Sequence, residues 1–380
     1  RHFCLSRGLG DVYKRQGMSD SQPSLVENSF NYWKKFQRGI SALSEISDDD
    51  ITIGSTPKRI VARNDKTTLY HYEPRVNRSS ETPLLIVYGQ IGRYTMIDLQ
   101  PDRSVVRNLL DEGIDVYLID WGSPNRSDRW IQFDDYIEDY LASYIDIICE
   151  ESKKPNVSLF GICEGGVFSA CYSALHPERV RNLSLAVTPI DFHADKKKYV
   201  EGQGYLNRWV RNLSARALNN LIDSYGHMPG DVIGMLFQEM TPVKTLTKYN
   251  WDLADNISGN HEQVLNFLRM EKWLSDRPHH PGEAAKTWLV DLYKNNQLVE
   301  KKFRVDGHLV DLGALDMPIL NIFSSFDHII PPSTSKALSL FVGTKDYTEL
   351  ELSVGHIGTF VSKKANLLLS ETLSEWLIKR

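Results

Sequence analysis

The chain has no apolar run approaching the roughly 18 residues that a membrane-spanning helix needs; its most apolar stretch, "LLIVY" at 84–88, is only strand length. Four cysteines in 380 residues (Cys4, Cys149, Cys163, Cys171) fall at no disulfide-framework or metal-ligand spacing, which fits a reducing, cytosolic setting. His279-His280-Pro281 lacks a third ligand in pattern, so no metal is expected. A net charge of -5 gives nucleic acid nothing to bind, and no internal repeat is visible. These absences exclude a membrane protein, a disulfide scaffold, a zinc module and a nucleic-acid binder.

What is present is strand–helix alternation. "TTLYHYEP" (67–74) alternates like an exposed or edge strand, whereas "TPLLIVYG" (82–89), "DVYLIDWG" (115–122) and "NVSLFGI" (156–162) read as strands buried on both faces. Between them lie helices: 103–113, capped by Asp102 and closed by Gly113, and 133–152, with Tyr136, Ile137, Tyr140, Leu141 and Tyr144 at helical spacing. A helix at 165–178 and a strand at 180–190 follow. The alternation returns at "MPILNIFSSFDHIIPP" (317–332), then a helix (333–342), the strand "YTELEL" (347–352) and a C-terminal helix near 360–378. The pattern predicts an α/β fold of the α/β-hydrolase type, with a mainly parallel sheet and an inserted helical cap. The expected organisation is an N-terminal region 18–66, a catalytic core 67–190 and 311–380, and a cap subdomain 191–310 whose Trp209, Trp251, Trp273 and Trp288 read as packing residues. Residues 1–17 carry no hydrophobic period and resemble translated, adapter-derived sequence, with Met18 as the natural start.

"LFGICEGG" (159–166) matches G-x-nucleophile-x-G directly after a strand and before a helix, with Cys163 in the nucleophile position. Small neighbours are needed because the turn is strained and closely packed. The positive end of the following helix, with a histidine nearby, is the environment in which a thiol gives up its proton. An acid and a histidine should follow in that order at the ends of later strands. Asp327 closes "PILNIFSSFD" and His356 follows "YTELELSVG", so both converge with Cys163 on one sheet edge. Glu164 is expected to offer its backbone N–H to an oxyanion. If its carboxylate points outward, glutamine in its place should keep or raise activity; if it lies near the sulfur, it would raise the thiol pKa. The second donor is expected from Gln90 or Ile91 in "YGQIGRYT". Arg93 is a candidate for phosphate contact and His328 for an accessory role, against plain structural readings of both. Cys171 and Cys149 read as packing cysteines, and His176-Pro177 as a helix stop.

Seven blocks, "TPLLIVYGQIGRYTMIDLQPDRSVVRNLL", "DVYLIDWGSP", "LFGICEGG", "YSALHPERVRNL", "NFLRMEKWLSD", "ILNIFSSFDHIIPP" and "YTELELSVGHIG", carry a resemblance that spans about 20–380. The chain resembles the catalytic subunit of class III polyhydroxyalkanoate synthases. The resemblance implies a Cys163, Asp327, His356 triad acting on short-chain (R)-3-hydroxyacyl-CoA to extend a polyester chain. Coenzyme A would enter as part of the substrate and leave as a product, with no further cofactor. It also implies a second, non-catalytic synthase subunit, homo-oligomerisation, and a cytoplasmic location at the polymer granule surface. Two positions depart from the family pattern: Glu164 stands where glutamine is usual, and Gly92 where relatives often carry asparagine. The competing readings are a cysteine hydrolase of the dienelactone-hydrolase kind, and a non-catalytic granule-surface scaffold. A chain begun at Met18 is expected to fold and act as the full chain does. A large fall in melting temperature or in activity of that shortened chain would show that residues 1–17 belong to the fold.

Overall fold

The computed structural model describes residues 25–196, 200, 203–239, 257 and 261–380. The chain forms two compact units, one comprising 1–50 with 243–267 and the other 51–242 with 268–380. In the smaller unit, helix α1 (Leu25–Ser44) places Gly39 against Ile257, where a Cβ would come within 2.2 Å of the isoleucine side chain. Trp251 and the segment 1–17 lie outside the described residues.

The larger unit is built on an eight-stranded sheet: β1 (Lys58–Asn64), β2 (Thr67–Tyr72), β3 (Leu84–Val87), β4 (Val116–Asp120), β5 (Val157–Ile162), β6 (Val180–Ala186), β7 (Ile319–Ser324) and β8 (Tyr347–Leu352). The order is β1-β2-β4-β3-β5-β6-β7-β8. β1 and β2 are antiparallel to their neighbours, and every pairing from β4 to β8 is parallel. The strand at 67–72 is therefore not an edge. β1 covers it, so residues 51–66 belong with the sheet rather than with the N-terminal region.

Burial on both faces explains the unbroken apolar runs. In β3, Leu85 and Val87 point into one core layer and Leu84 and Ile86 into the other; in β5, Val157 and Leu159 oppose Phe160 and Ile162 in the same way. One layer is filled by helices α3 (Ala142–Ser152) and α4 (Glu164–Leu175), the other by α2 (Val105–Asp111) and α5 (Lys363–Ile378). The predicted helix 133–152 begins as a π-helical turn, Asp135–Leu141, before becoming α3. The chain leaves β3 for β4 on one side and later places β5 on its other side. That reversal opens a crevice between the carboxyl ends of β3 and β5, the usual place for a ligand on such sheets.

Segment 191–310 is helical where described, with helices Tyr205–Asn212, Ala215–Tyr225, Gly230–Glu239, His261–Ser275 and Gly282–Lys286, the last running into a π-helical turn Thr287–Lys294. His227–Met228 and His280–Pro281 form a two-residue antiparallel ladder within it. Trp273 and Trp288 are buried, as packing residues should be, while Trp209 is 37% exposed.

The cap of α2 differs from the sequence reading. Ser104, not Asp102, accepts the Arg107 N–H at 3.0 Å, and its hydroxyl donates to the buried Asp98 Oδ1 at 2.6 Å. Asp102 instead accepts from the Gln100 side chain. Ser104→Ala removes a cap and a buried partner together and is expected to cost about 2 kcal/mol in urea unfolding. A loss under about 0.5 kcal/mol would show that neither contact contributes.

Candidate active site

Cys163 joins β5 to α4 with φ 53° and ψ -120°, a conformation L-residues rarely adopt. Such strain costs of order 1–3 kcal/mol and persists only where the surroundings enforce it. Here the Cys163 N–H donates to Ala186 O on β6. The glycines around it have no room for a side chain. A Cβ on Gly161 would lie 2.5 Å from the Gly166 Cα, one on Gly165 would lie 2.1 Å from Val87 O, and one on Gly166 would lie 1.9 Å from Thr188 Oγ1. The turn is thus locked against β3, β5 and β6, and the thiol stands at the crevice, partly exposed.

Asp327 and His356 arrive from the ends of β7 and β8. Parallel pairing of those strands continues past their ends through Ser325 N–H to Leu352 O and Phe326 N–H to Val354 O, which holds the two loops side by side. Asp327 is fully buried. Its Oδ1 accepts the N–H groups of Ile329 and Ile330 at 2.9 and 2.8 Å, which leaves Oδ2 to accept from His356 Nδ1 at 2.7 Å. Cys163 lies close enough to His356 to favour its protonated form, so the fold brings the three predicted side chains together.

His356 is 13% exposed. Burial is the largest influence on it and alone would weaken protonation. The Asp327 carboxylate, by charge and by hydrogen bond, then the Cys163 side chain, outweigh burial and raise its pKa from 6.5 to about 10. The site is therefore built to hold a second proton on this imidazole.

The carboxylate of Glu164 does not point outward: the residue has no exposed surface, Oε2 accepts the Gln90 N–H at 2.9 Å, and Oε1 meets His280 Nε2 at 2.6 Å. The Gln90 N–H is thereby occupied and does not face an oxyanion. Among the described residues, no hydrogen-bond acceptor is found for the N–H of Ile91 or of Glu164. His280 was not singled out in sequence as more than a loop histidine. The available signal was a charged side chain on the first turn of an otherwise fully buried helix, which demands a buried partner.

Arg93 is likewise committed. Its guanidinium donates to Asp276 Oδ1 at 3.0 Å, Gly122 O at 2.7 Å and Ser123 Oγ at 2.5 Å, while its carbonyl accepts from Trp273 Nε1. It ties three segments together and is not presented to a phosphate. His328 is half-buried beside Asp327. Cys171 is buried in the core, and burial pushes its thiol well up; Cys149 is shifted the same way. His279 accepts the Gly230 N–H. Among the described residues, no group of three or more His, Cys, Asp or Glu side chains is arranged to hold a metal ion.

A pH dependence of stability follows from His356. Its folded value lies above its unfolded one, so its contribution is complete below about pH 6.5 and is lost as pH rises through about 10. Urea unfolding of the native chain should therefore weaken across that window more steeply than that of Asp327→Asn, which lacks the main charge raising the imidazole. Equal slopes for the two proteins would contradict the assignment.

Comparison with known proteins agrees with the fold and narrows the family. Residues 82–361 match the alpha/beta hydrolase fold family, and residues 13–109 match the N-terminal region of poly-beta-hydroxybutyrate polymerase (PhaC). An epoxide hydrolase from Bacillus megaterium superposes with a TM-score of 0.50 at 11% identity, covering 85% of this chain and 100% of its own, which speaks to the fold alone. The poly(3-hydroxyalkanoate) polymerase subunit PhaC of Synechocystis sp. is 40% identical over 368 residues, 95% of this chain and 95% of that protein. The subunit of the same name from Allochromatium vinosum is 37% identical over 94% of this chain and 97% of its own. With that identity along nearly the whole of both chains, on an α/β-hydrolase sheet, this protein belongs to the poly(3-hydroxyalkanoate) polymerase family.

Proposed function

We propose that this chain polymerises short-chain (R)-3-hydroxyacyl-CoA into polyester, with Cys163 as nucleophile, His356 as proton carrier and Asp327 as the acid that orients it. The observation that supports this most is the Asp327 Oδ2 to His356 Nδ1 hydrogen bond beside Cys163 at a strained elbow, in a member of this family. In acylation His356 holds the proton given up by the thiol, the Cys163 sulfur attacks the thioester carbonyl, and the CoA sulfur leaves and takes that proton. In elongation the 3-hydroxyl oxygen of another unit attacks the acyl carbonyl, the bond to Cys163 breaks, and the hydroxyl proton returns through His356 to the sulfur. The N–H groups of Glu164 and Ile91 receive the negative oxygen in both steps.

A thiol suits this chemistry because thioester exchange keeps the acyl group activated. An ester to serine would dissipate that activation before chain growth. The described helices between 205 and 239 and between 268 and 294 serve as a cap that keeps water from the acyl group. No cofactor beyond the CoA of the substrate takes part. The chain acts in the cytoplasm at the granule surface, as a homo-oligomer with a second, non-catalytic subunit. Among the described residues no helix is long and apolar enough to cross a membrane. Hydrolysis to free acid is the rival outcome at the same site, and the identity to polymerase subunits favours polymer.

The division of labour is testable. His356→Ala should abolish both acylation and polymer. Asp327→Asn should still release up to one CoA per site, because a thiol loses its proton readily, yet elongate slowly, because an alcohol does not. Single-turnover CoA release and turbidity with (R)-3-hydroxybutyryl-CoA measure the two steps. Loss of acylation in Asp327→Asn as complete as in His356→Ala would refute this assignment, and CoA release with only soluble acid from the native chain would favour the hydrolase.

A further inference from the structure

Glu164 does two things at one place: it opens helix α4 beside the nucleophile, and its side chain turns back over the loop that follows β3. Gly89 lies flat on it, since a Cβ there would be 3.3 Å from the Glu164 Cβ, and the next residue donates its N–H to Oε2. The loop that carries Ile91 is thus hung on this carboxylate. The other oxygen is held by His280, 2.6 Å away and buried with it.

His280 is itself fixed from outside the sheet. It pairs with Met228 in the short ladder, and just beyond it Glu283 and Ala284 donate their N–H groups to Arg129 O and Ile131 O. A rigid point in segment 191–310 is therefore connected by two short buried hydrogen bonds to the loop at the crevice. The mechanism above assigns nothing to His280.

We infer that His280 is a positioning residue for the oxyanion site: acting through the Glu164 carboxylate, it holds Gln90 and so sets the direction of the Ile91 and Glu164 N–H groups. This rests on the reading of Cys163 as the nucleophile. It also gives a reason for glutamate rather than glutamine at this position. Either side chain can accept from Gln90, but only a carboxylate offers acceptor oxygens in both directions, and an imidazole N–H is the matching donor. His280 does not act on the thiol, and it touches no reacting atom.

The distinction has a direct assay. Acylation by a thioester needs stabilisation of a negative oxygen, whereas alkylation of the same sulfur by iodoacetamide does not. Both rates are followed by mass spectrometry of the peptide that holds Cys163. In His280→Leu, acylation by (R)-3-hydroxybutyryl-CoA at saturation should slow at least tenfold, with half-saturation and iodoacetamide alkylation each within threefold of native. His280→Gln places an amide N–H where Nε2 stood and should recover most of the acylation rate. His280→Asn, whose amide falls short of Glu164, replaces the leucine variant if that one does not fold, with the same expectation. Acylation and alkylation falling together, acylation unchanged, or a loss confined to half-saturation would each overturn the proposal. Failure of the native chain to acylate at Cys163 would instead overturn the nucleophile assignment on which it rests.

Discussion

Everything at the crevice depends on the backbone of one residue. Cys163 is held at φ 53° because Gly161, Gly165 and Gly166 let β5, α4 and the ends of β3 and β6 approach to distances that no side chain would allow. The strain is small beside the packing that enforces it, and its consequence is directional. The sulfur stands at the end of β5, and the helix start is laid against the loop after β3. Had the elbow relaxed, Cys163 and His356 would no longer stand beside each other.

Around that turn two carboxylates are buried with both oxygens of each partnered. Asp327 uses one oxygen on two backbone N–H groups so that the other is aimed at His356. Glu164 uses one oxygen on Gln90 and the other on His280. Both follow from the cost of leaving a carboxylate unpaired away from water. One chain runs to His356 beside Cys163 and the other to the loop that carries Ile91, so under the proposed mechanism the proton carrier and the oxyanion donors rest on separate supports.

How much of this could be read in the sequence depended on the range of the interaction. The central strands were legible because burial on both faces demands continuous apolar runs, and Cys163, Asp327 and His356 because each sits at a strand end in a fixed order. β1 was not, since "KRIVARN" is a half-exposed edge whose polar residues mimic a loop. The cap of α2 was misplaced by two residues because Asp102 and Ser104 are both good caps, and only the buried Asp98 decides between them. The side-chain partners of Glu164 and Arg93 were not legible for one shared reason. Their partners, His280 for the one and Gly122, Ser123 and Asp276 for the other, are distant in sequence and set by the tertiary fold. A charged residue near a nucleophile reads as available until its partner is known.

The central claim is that the growing acyl group is carried on Cys163. Acid-quenching the native chain during turnover with (R)-3-hydroxybutyryl-CoA, followed by proteolysis and peptide mass mapping, locates that group directly. The account predicts a 3-hydroxyacyl thioester on the peptide containing Cys163 and unmodified Cys149 and Cys171. CoA release with no acyl group on Cys163, or with the acyl group on another residue, would contradict it.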